Sequence, residues 1–135
     1  MPSKSFVCLD VGEKRIGVAV GDTNVRIAVA YDTFETDGTE IQKIAELVIR
    51  EEARTIVVGY PRNQQGEATA QTAYVENFAK QLTDIASVEY QDESLTSVMA
   101  EDRLKRTRRA YSKGDIDMQA AAIILQDYLE EKYGA

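Results

Sequence analysis

The sequence predicts an α/β fold built on a mixed five-stranded sheet, an antiparallel three-strand meander plus two parallel strands, flanked by helices on both faces. Three observations carry this expectation. The first quarter of the chain holds three apolar stretches of strand character joined by short connections. Beyond Asp37, apolar residues at helical spacing alternate with short β-branched runs. The resulting order is strand-strand-strand-helix-strand-helix-strand-helix-helix, in which βα crossovers give parallel pairing and helices on both sheet faces.

Residues 4–11 read as a buried strand ended by Gly12. In residues 15–22, Ile16, Val18 and Val20 lie on one face, and Gly17, Ala19 and Gly21 on the other. Thr23-Asn24 reads as a tight turn into a third strand over 25–33. A helix to about Ala53 presents Ile41, Ile44, Ala45 and Val48 as its stripe. Residues 54–60 form a β-branched strand, broken off at Pro61. A second helix over 69–85 offers Ala73, Phe78, Ala79 and Leu82 to the core, and a strand over 87–92 follows. A helix over 96–106, a basic loop over 107–114 and a final helix over 116–132 complete the chain. Repeats, linkers and low-complexity stretches are absent, so residues 1–135 are expected to form one domain.

Composition narrows the chemistry. The 135 residues contain no histidine, which excludes a Ser-His-Asp triad and any zinc site that needs imidazole. The lone cysteine, Cys8, is expected to be a small buried residue in a central strand. A bound metal would therefore take oxygen ligands, which favours Mg²⁺ or Mn²⁺. No apolar run is long enough to span a membrane. Met1-Pro2-Ser3-Lys4-Ser5 lacks the features of a signal peptide, so a cytoplasmic location is expected. The net charge of −7 argues against a generic nucleic-acid surface. Positive charge is concentrated instead, with Arg103, Lys105, Arg106, Arg108, Arg109 and Lys113 inside eleven positions. The same cluster also suits a solvated helix end.

Three carboxylates stand out. Asp10 lies inside the apolar first strand, Glu93 ends the fifth, and Asp117 lies near the start of the last helix. Asp117, Ala121, Ile124 and Tyr128 fall on one helical face, so Asp117 points where the apolar stripe points. Asp115 is better placed as the helix cap. Carboxylates against apolar surface are costly unless paired or bound to a cation. Three that converge suggest a divalent-metal site for phosphodiester hydrolysis. Alternation along the strand does not choose between Asp92 and Glu93. Glu101 is a weaker competitor expected to face solvent.

Leu9-Asp10-Val11-Gly12-Glu13-Lys14-Arg15-Ile16-Gly17-Val18-Ala19-Val20-Gly21-Asp22 resembles the opening motif of the YqgF family. Val57 to Asn63, Gln71 to Phe78, Asp92 to Ser97 and Asp117 to Leu129 resemble its later blocks, in order and over nearly the whole chain. The resemblance implies a ribonuclease-H-like, metal-dependent nuclease. It implies that Asp10, Glu93 and Asp117 are the catalytic and metal-binding carboxylates, with Mg²⁺ or Mn²⁺ as cofactor, and it favours Glu93 over Asp92. It sets Arg15 and Asn63 at a nucleic-acid groove; apart from the resemblance, Arg106, Arg108, Arg109 and Lys113 of the basic cluster, with Lys14 and Arg62, are expected as further binding residues. Ser94 departs from the family, which usually has arginine there, and slower cutting is one expected consequence.

The family is linked both to 5′-end processing of precursor 16S rRNA and to Holliday junction resolution. Precursor rRNA is the expected substrate, because symmetric cutting of four-way DNA favours a stable dimer and the acidic surface offers no large self-complementary interface. The expected state is a monomer or weak homodimer, aided by a ribosome-assembly partner that presents the RNA. Two rivals remain: a non-catalytic nucleic-acid-binding module of the same fold, and a nucleotide-binding fragment of the actin-like type. The second would require another lobe.

Overall fold

The computed structural model describes residues 4–61, 65, 67–93, 96–107 and 110–134. Five strands, β1 (Ser5–Val11), β2 (Arg15–Asp22), β3 (Val29–Glu35), β4 (Thr55–Tyr60) and β5 (Ser87–Asp92), form one sheet in the order β3-β2-β1-β4-β5. β1 pairs antiparallel with β2, and β2 antiparallel with β3. β4 pairs parallel with β1, and β5 parallel with β4. The helices are α1 (Glu40–Glu51), α2 (Ala70–Lys80), α3 (Thr96–Arg106) and α4 (Lys113–Tyr133). The predicted mixed sheet and its strand directions are the observed ones.

The central strands are apolar on both faces because both are covered. Val7, Leu9, Val11, Ile16, Val18, Ile56 and Val58 pack with Ile44, Leu47 and Val48 of α1 and Val75, Phe78 and Leu82 beyond and within α2. Phe6, Cys8, Ala19 and Val57 on the opposite face pack with Ala121, Ile124, Leu125, Tyr128 and Leu129 of α4. Fully burying one such aliphatic side chain contributes about 1.5–3 kcal/mol. The helix α3 rests on α4 through Ala100, Ala120 and Ile123. Cys8 is buried, as expected.

Three boundaries differ from the sequence reading, each for an identifiable reason. β3 begins at Val29 instead of residue 25. Arg26 N closes a turn onto Asp22 O, and the segment then bonds to α4 in place of a β2 ladder: the Gln126 side chain donates to Arg26 O and accepts from Ala28 N. Arg26 also takes a left-handed backbone (φ 60°), which ends strand geometry there. The helix α2 stops at Lys80, and residues 81–85 close as turns, with Ile85 N donating to Leu82 O. Ala73 is exposed, and Thr72 and Val75 occupy the buried positions. The helix α4 starts at Lys113, because Ser112 caps it and Asp115 completes a reciprocal capping box from the third helical position. Lys113 is thus a helical residue and not part of a loop.

Candidate active site

Asp10 occupies the α4 face of β1, the face that also carries Phe6 and Cys8. Its cross-strand partner on β2 is Gly17. The backbone of Asp117 lies directly on that glycine. A Cβ at Gly17 would overlap the Asp117 carbonyl oxygen and come within 2.9 Å of Met118 N. The Gly17-Ala19-Gly21 row thus lets the start of α4 settle on β2, which sets Asp117 over the strand pair that holds Asp10.

Glu93 arrives from the other side. Glu89, Gln91 and Glu93 alternate onto the α4 face of β5, where Glu89 accepts from Tyr128 Oη at 2.9 Å and Gln91 Nε2 donates to Glu131 at 3.1 Å. Glu93 then crosses Gly59 of β4. A Cβ on Gly59 would overlap Glu93 Oε2 and lie 2.8 Å from Ile124 Cδ1. Leu9 is level with Val58 in the parallel β1–β4 pair, so Gly59 follows at the level of Asp10. Across this gap the Asp10 and Glu93 carboxyls share a hydrogen bond. Asp92 is exposed and faces Tyr60, Glu76 and Tyr90 on the opposite side of the sheet. The geometry therefore sets Glu93, not Asp92, beside Asp10.

Burial governs the charge state. Desolvation first, then the neighbouring Asp10 charge and their shared hydrogen bond, together push Glu93 up to about 9. Desolvation also lifts Asp10, to about 6, with Asp117 adding in the same direction and the Glu93 hydrogen bond opposing. Near neutral pH the pair shares one proton between its two carboxyls. The Cys8 thiol beneath them is pushed upward by burial and by both acids, which leaves it un-ionised.

Asp117 is held differently. Arg15 Nε donates to Asp117 Oδ2 at 2.7 Å, with both side chains about three-quarters buried, at 29% and 24% exposure. Among the described residues, no group of three or more acidic, His or Cys side chains is set around a cation position as placed. Asp10 and Glu93 form a close pair, and the Asp117 carboxylate is turned to Arg15. Arg15, expected along a nucleic-acid groove, is paired with Asp117.

The remaining basic residues divide. Lys14 is exposed in the β1–β2 turn, Arg106 is exposed at the end of α3, and Lys113 is exposed at the first position of α4. Arg62, Asn63, Ser94, Arg108 and Arg109 lie outside the described residues. Glu101 stands apart from the cluster: it accepts from Tyr111 Oη at 3.2 Å and pairs with Lys105 at 3.9 Å. Gly17 and Gly59 position the site, yet the sequence reading gave them no role in it. The signal for Gly59 was a glycine inside a β-branched strand, which marks close approach of another group.

The model of the RuvX family, described as Holliday junction resolvase, matches residues 4–131. The chain belongs to this family. The YqgF resemblance read from the motifs is thereby borne out. Among its relatives is a Chloroflexus aggregans protein named "Putative pre-16S rRNA nuclease", 41% identical over 98% of this chain and 97% of its own length. A protein of the same name from Gloeothece citriformis is 40% identical over 92% of this chain and 86% of the relative. Solved structures with similar folds include Thermus thermophilus RuvC in complex with Holliday junction substrate, with a TM-score of 0.60 at 12% identity, covering 98% of this chain and 97% of that one. Fowlpox virus resolvase with Holliday junction DNA aligns with a TM-score of 0.58 at 11% identity over 94% and 97% of the two chains. The ribonuclease-H-like fold expected of a RuvX-family chain is the one observed. Among the described residues, no helix is long and apolar enough to cross a membrane.

Proposed function

We propose that this RuvX-family chain is a divalent-cation-dependent nuclease that hydrolyses phosphodiesters of precursor 16S rRNA during ribosome biogenesis in the cytoplasm. Asp10, Glu93 and Asp117 are its catalytic carboxylates. The observation that carries this reading is the Asp10–Glu93 pair, two carboxyls driven together in a desolvated pocket with the Asp117 charge alongside. Holding like charges there is costly, and a cation or a proton offsets the cost. The donor set fits Mg²⁺ or Mn²⁺, being all carboxylate oxygen with no nitrogen or sulfur ligand expected. Glu93 Oε2 is sealed from solvent over Gly59.

A bound cation would lower the pKa of a coordinated water and offset charge on the cleaved phosphate. The chain's own residues do the rest. The backbone of Asp10 is fixed by a central strand and that of Asp117 by the Gly17 contact. The Asp10–Glu93 pair carries the exchangeable proton. Lys14, Arg106 and Lys113 offer exposed cations to the backbone of the nucleic acid, and Arg62, Asn63, Arg108 and Arg109, outside the described residues, are its further proposed contacts. Lys113 at a helix N-terminus opposes the helix dipole, which supports a role for it beyond stability.

RNA is favoured because 40–41% identical relatives carry the precursor rRNA name over nearly their full length. The acidic body also suits presentation of the RNA by an assembly partner, with the enzyme a monomer or weak homodimer. A second reading, resolution of four-way DNA, is supported by the family description and by the resolvase structures of similar fold. The two separate on end-labelled substrates. A single-stranded precursor 16S leader cut at a defined position, with the junction left whole, supports the rRNA reading. Paired symmetric nicks in the junction with the leader intact overturn it.

A further inference from the structure

We propose that Arg15 is the counter-ion a divalent cation must displace from Asp117, so that loading of the site frees the Arg15 guanidinium for a substrate phosphate. The inference rests on the carboxylate assignment made above and concerns how that site is switched.

Three features point to it. First, the contact is short and sheltered, with Nε 2.7 Å from Oδ2 and both side chains largely buried. Second, the backbones on either side are fixed. Arg15 and Gly17 share one face of β2, and Gly17 bears the Asp117 backbone. Asp117 can therefore change partners by side-chain rotation, with no movement of α4. Third, the other two carboxyls are already turned to each other, while Asp117 alone is turned to Arg15 and the three form no ready cation site.

A guanidinium bound to a carboxylate both occupies a ligand oxygen and repels an incoming cation. Once released, its planar fork suits the two oxygens of a phosphate, which arrives with the nucleic acid. An arginine that merely holds Asp117 in a ligand-ready rotamer would behave in the opposite way, because its loss would weaken cation binding.

The sign of one measurement decides. Mn²⁺ binding to the full chain, followed by calorimetry and by the electron paramagnetic resonance of free Mn²⁺, is expected to tighten roughly fivefold or more in Arg15→Gln, while RNA cleavage by that variant slows. Melting curves without metal check that the variant is folded. The wild type gives an independent readout should the variant not fold: the Arg15 Nε–H signal in ¹⁵N spectra is expected to shift and lose exchange protection as Mg²⁺ saturates the site. Unchanged or weaker Mn²⁺ binding by folded Arg15→Gln, or an Arg15 signal indifferent to Mg²⁺, overturns the proposal. Asp10→Asn and Asp117→Asn separate the two layers. If they lose Mn²⁺ while Arg15→Gln gains none, only the role of Arg15 fails. If they bind Mn²⁺ as wild type does, the carboxylate assignment fails and the proposal with it.

Discussion

Glu93 crosses the sheet directly over Gly59, in the space where any other residue would carry its Cβ. The glycine is what allows the residue just past β5 to meet Asp10 on β1, two strands away.

Gly59→Ala is therefore expected to push Glu93 out of the pocket and to crowd Ile124. Overpacking of this kind costs about 1–3 kcal/mol. A misplaced catalytic group costs about 100-fold in rate. Parallel melting and cleavage assays check both, and an alanine variant with wild-type cleavage would remove Glu93 from the mechanism.

Gly17→Ala tests the placement of Asp117. The new methyl would meet backbone instead of a flexible side chain, so α4 must lift from β2. A stability loss of about 2–4 kcal/mol in denaturant titration is expected, with weaker Mn²⁺ binding in whatever folds. A neutral effect on both would mean that α4 has another resting position.

The stability of the metal-free protein is expected to depend on the Glu93 proton. Its folded pKa, about 9, lies above its ordinary value of 4.5. The folded state keeps a proton that the unfolded chain gives up. The contribution is thus fully present below about pH 4.5 and is lost as pH rises through about 9. Glu93→Gln mimics the protonated form, so it should flatten the fall in stability between pH 5 and 9, by at most about 1.4 kcal/mol per pH unit. Denaturant midpoints of wild type and variant across that range check it, and parallel pH profiles would contradict it.

Much of this architecture was legible in the sequence. Asp10 sits in an apolar run, the Gly17-Ala19-Gly21 row gave the small face of β2, and the spacing from Asp117 to Tyr128 gave the face of α4 that meets it. What escaped was set by contacts between distant residues. The Gln126 side chain takes the hydrogen bonds that residues 26–28 would have used in a longer β3. The capping box from Ser112 drew Lys113 into α4. Strand alternation could not choose Glu93 over Asp92, because the choice depends on the gap that Gly59 opens in a neighbouring strand. Nor could any local pattern tie Arg15 to Asp117, which lie 102 positions apart.

The exposed cations are expected to report on the nucleic-acid path. Neutralising Arg106 and Lys113 should weaken binding to RNA of any sequence and reduce the slope of log affinity against log salt by about 0.7 for each lost phosphate contact. Filter binding over a salt series reads both quantities. An unchanged slope would assign these residues to solvation of the helix ends.

The most direct test of the central claim is cleavage of an end-labelled precursor 16S leader across a Mn²⁺ or Mg²⁺ titration, with wild type beside Asp10→Asn, Glu93→Gln and Asp117→Asn. Cation-dependent cutting by the wild type, reduced at least about 100-fold in each folded variant, is the predicted result. Cutting that persists in Asp10→Asn, or that needs no divalent cation, would contradict the account.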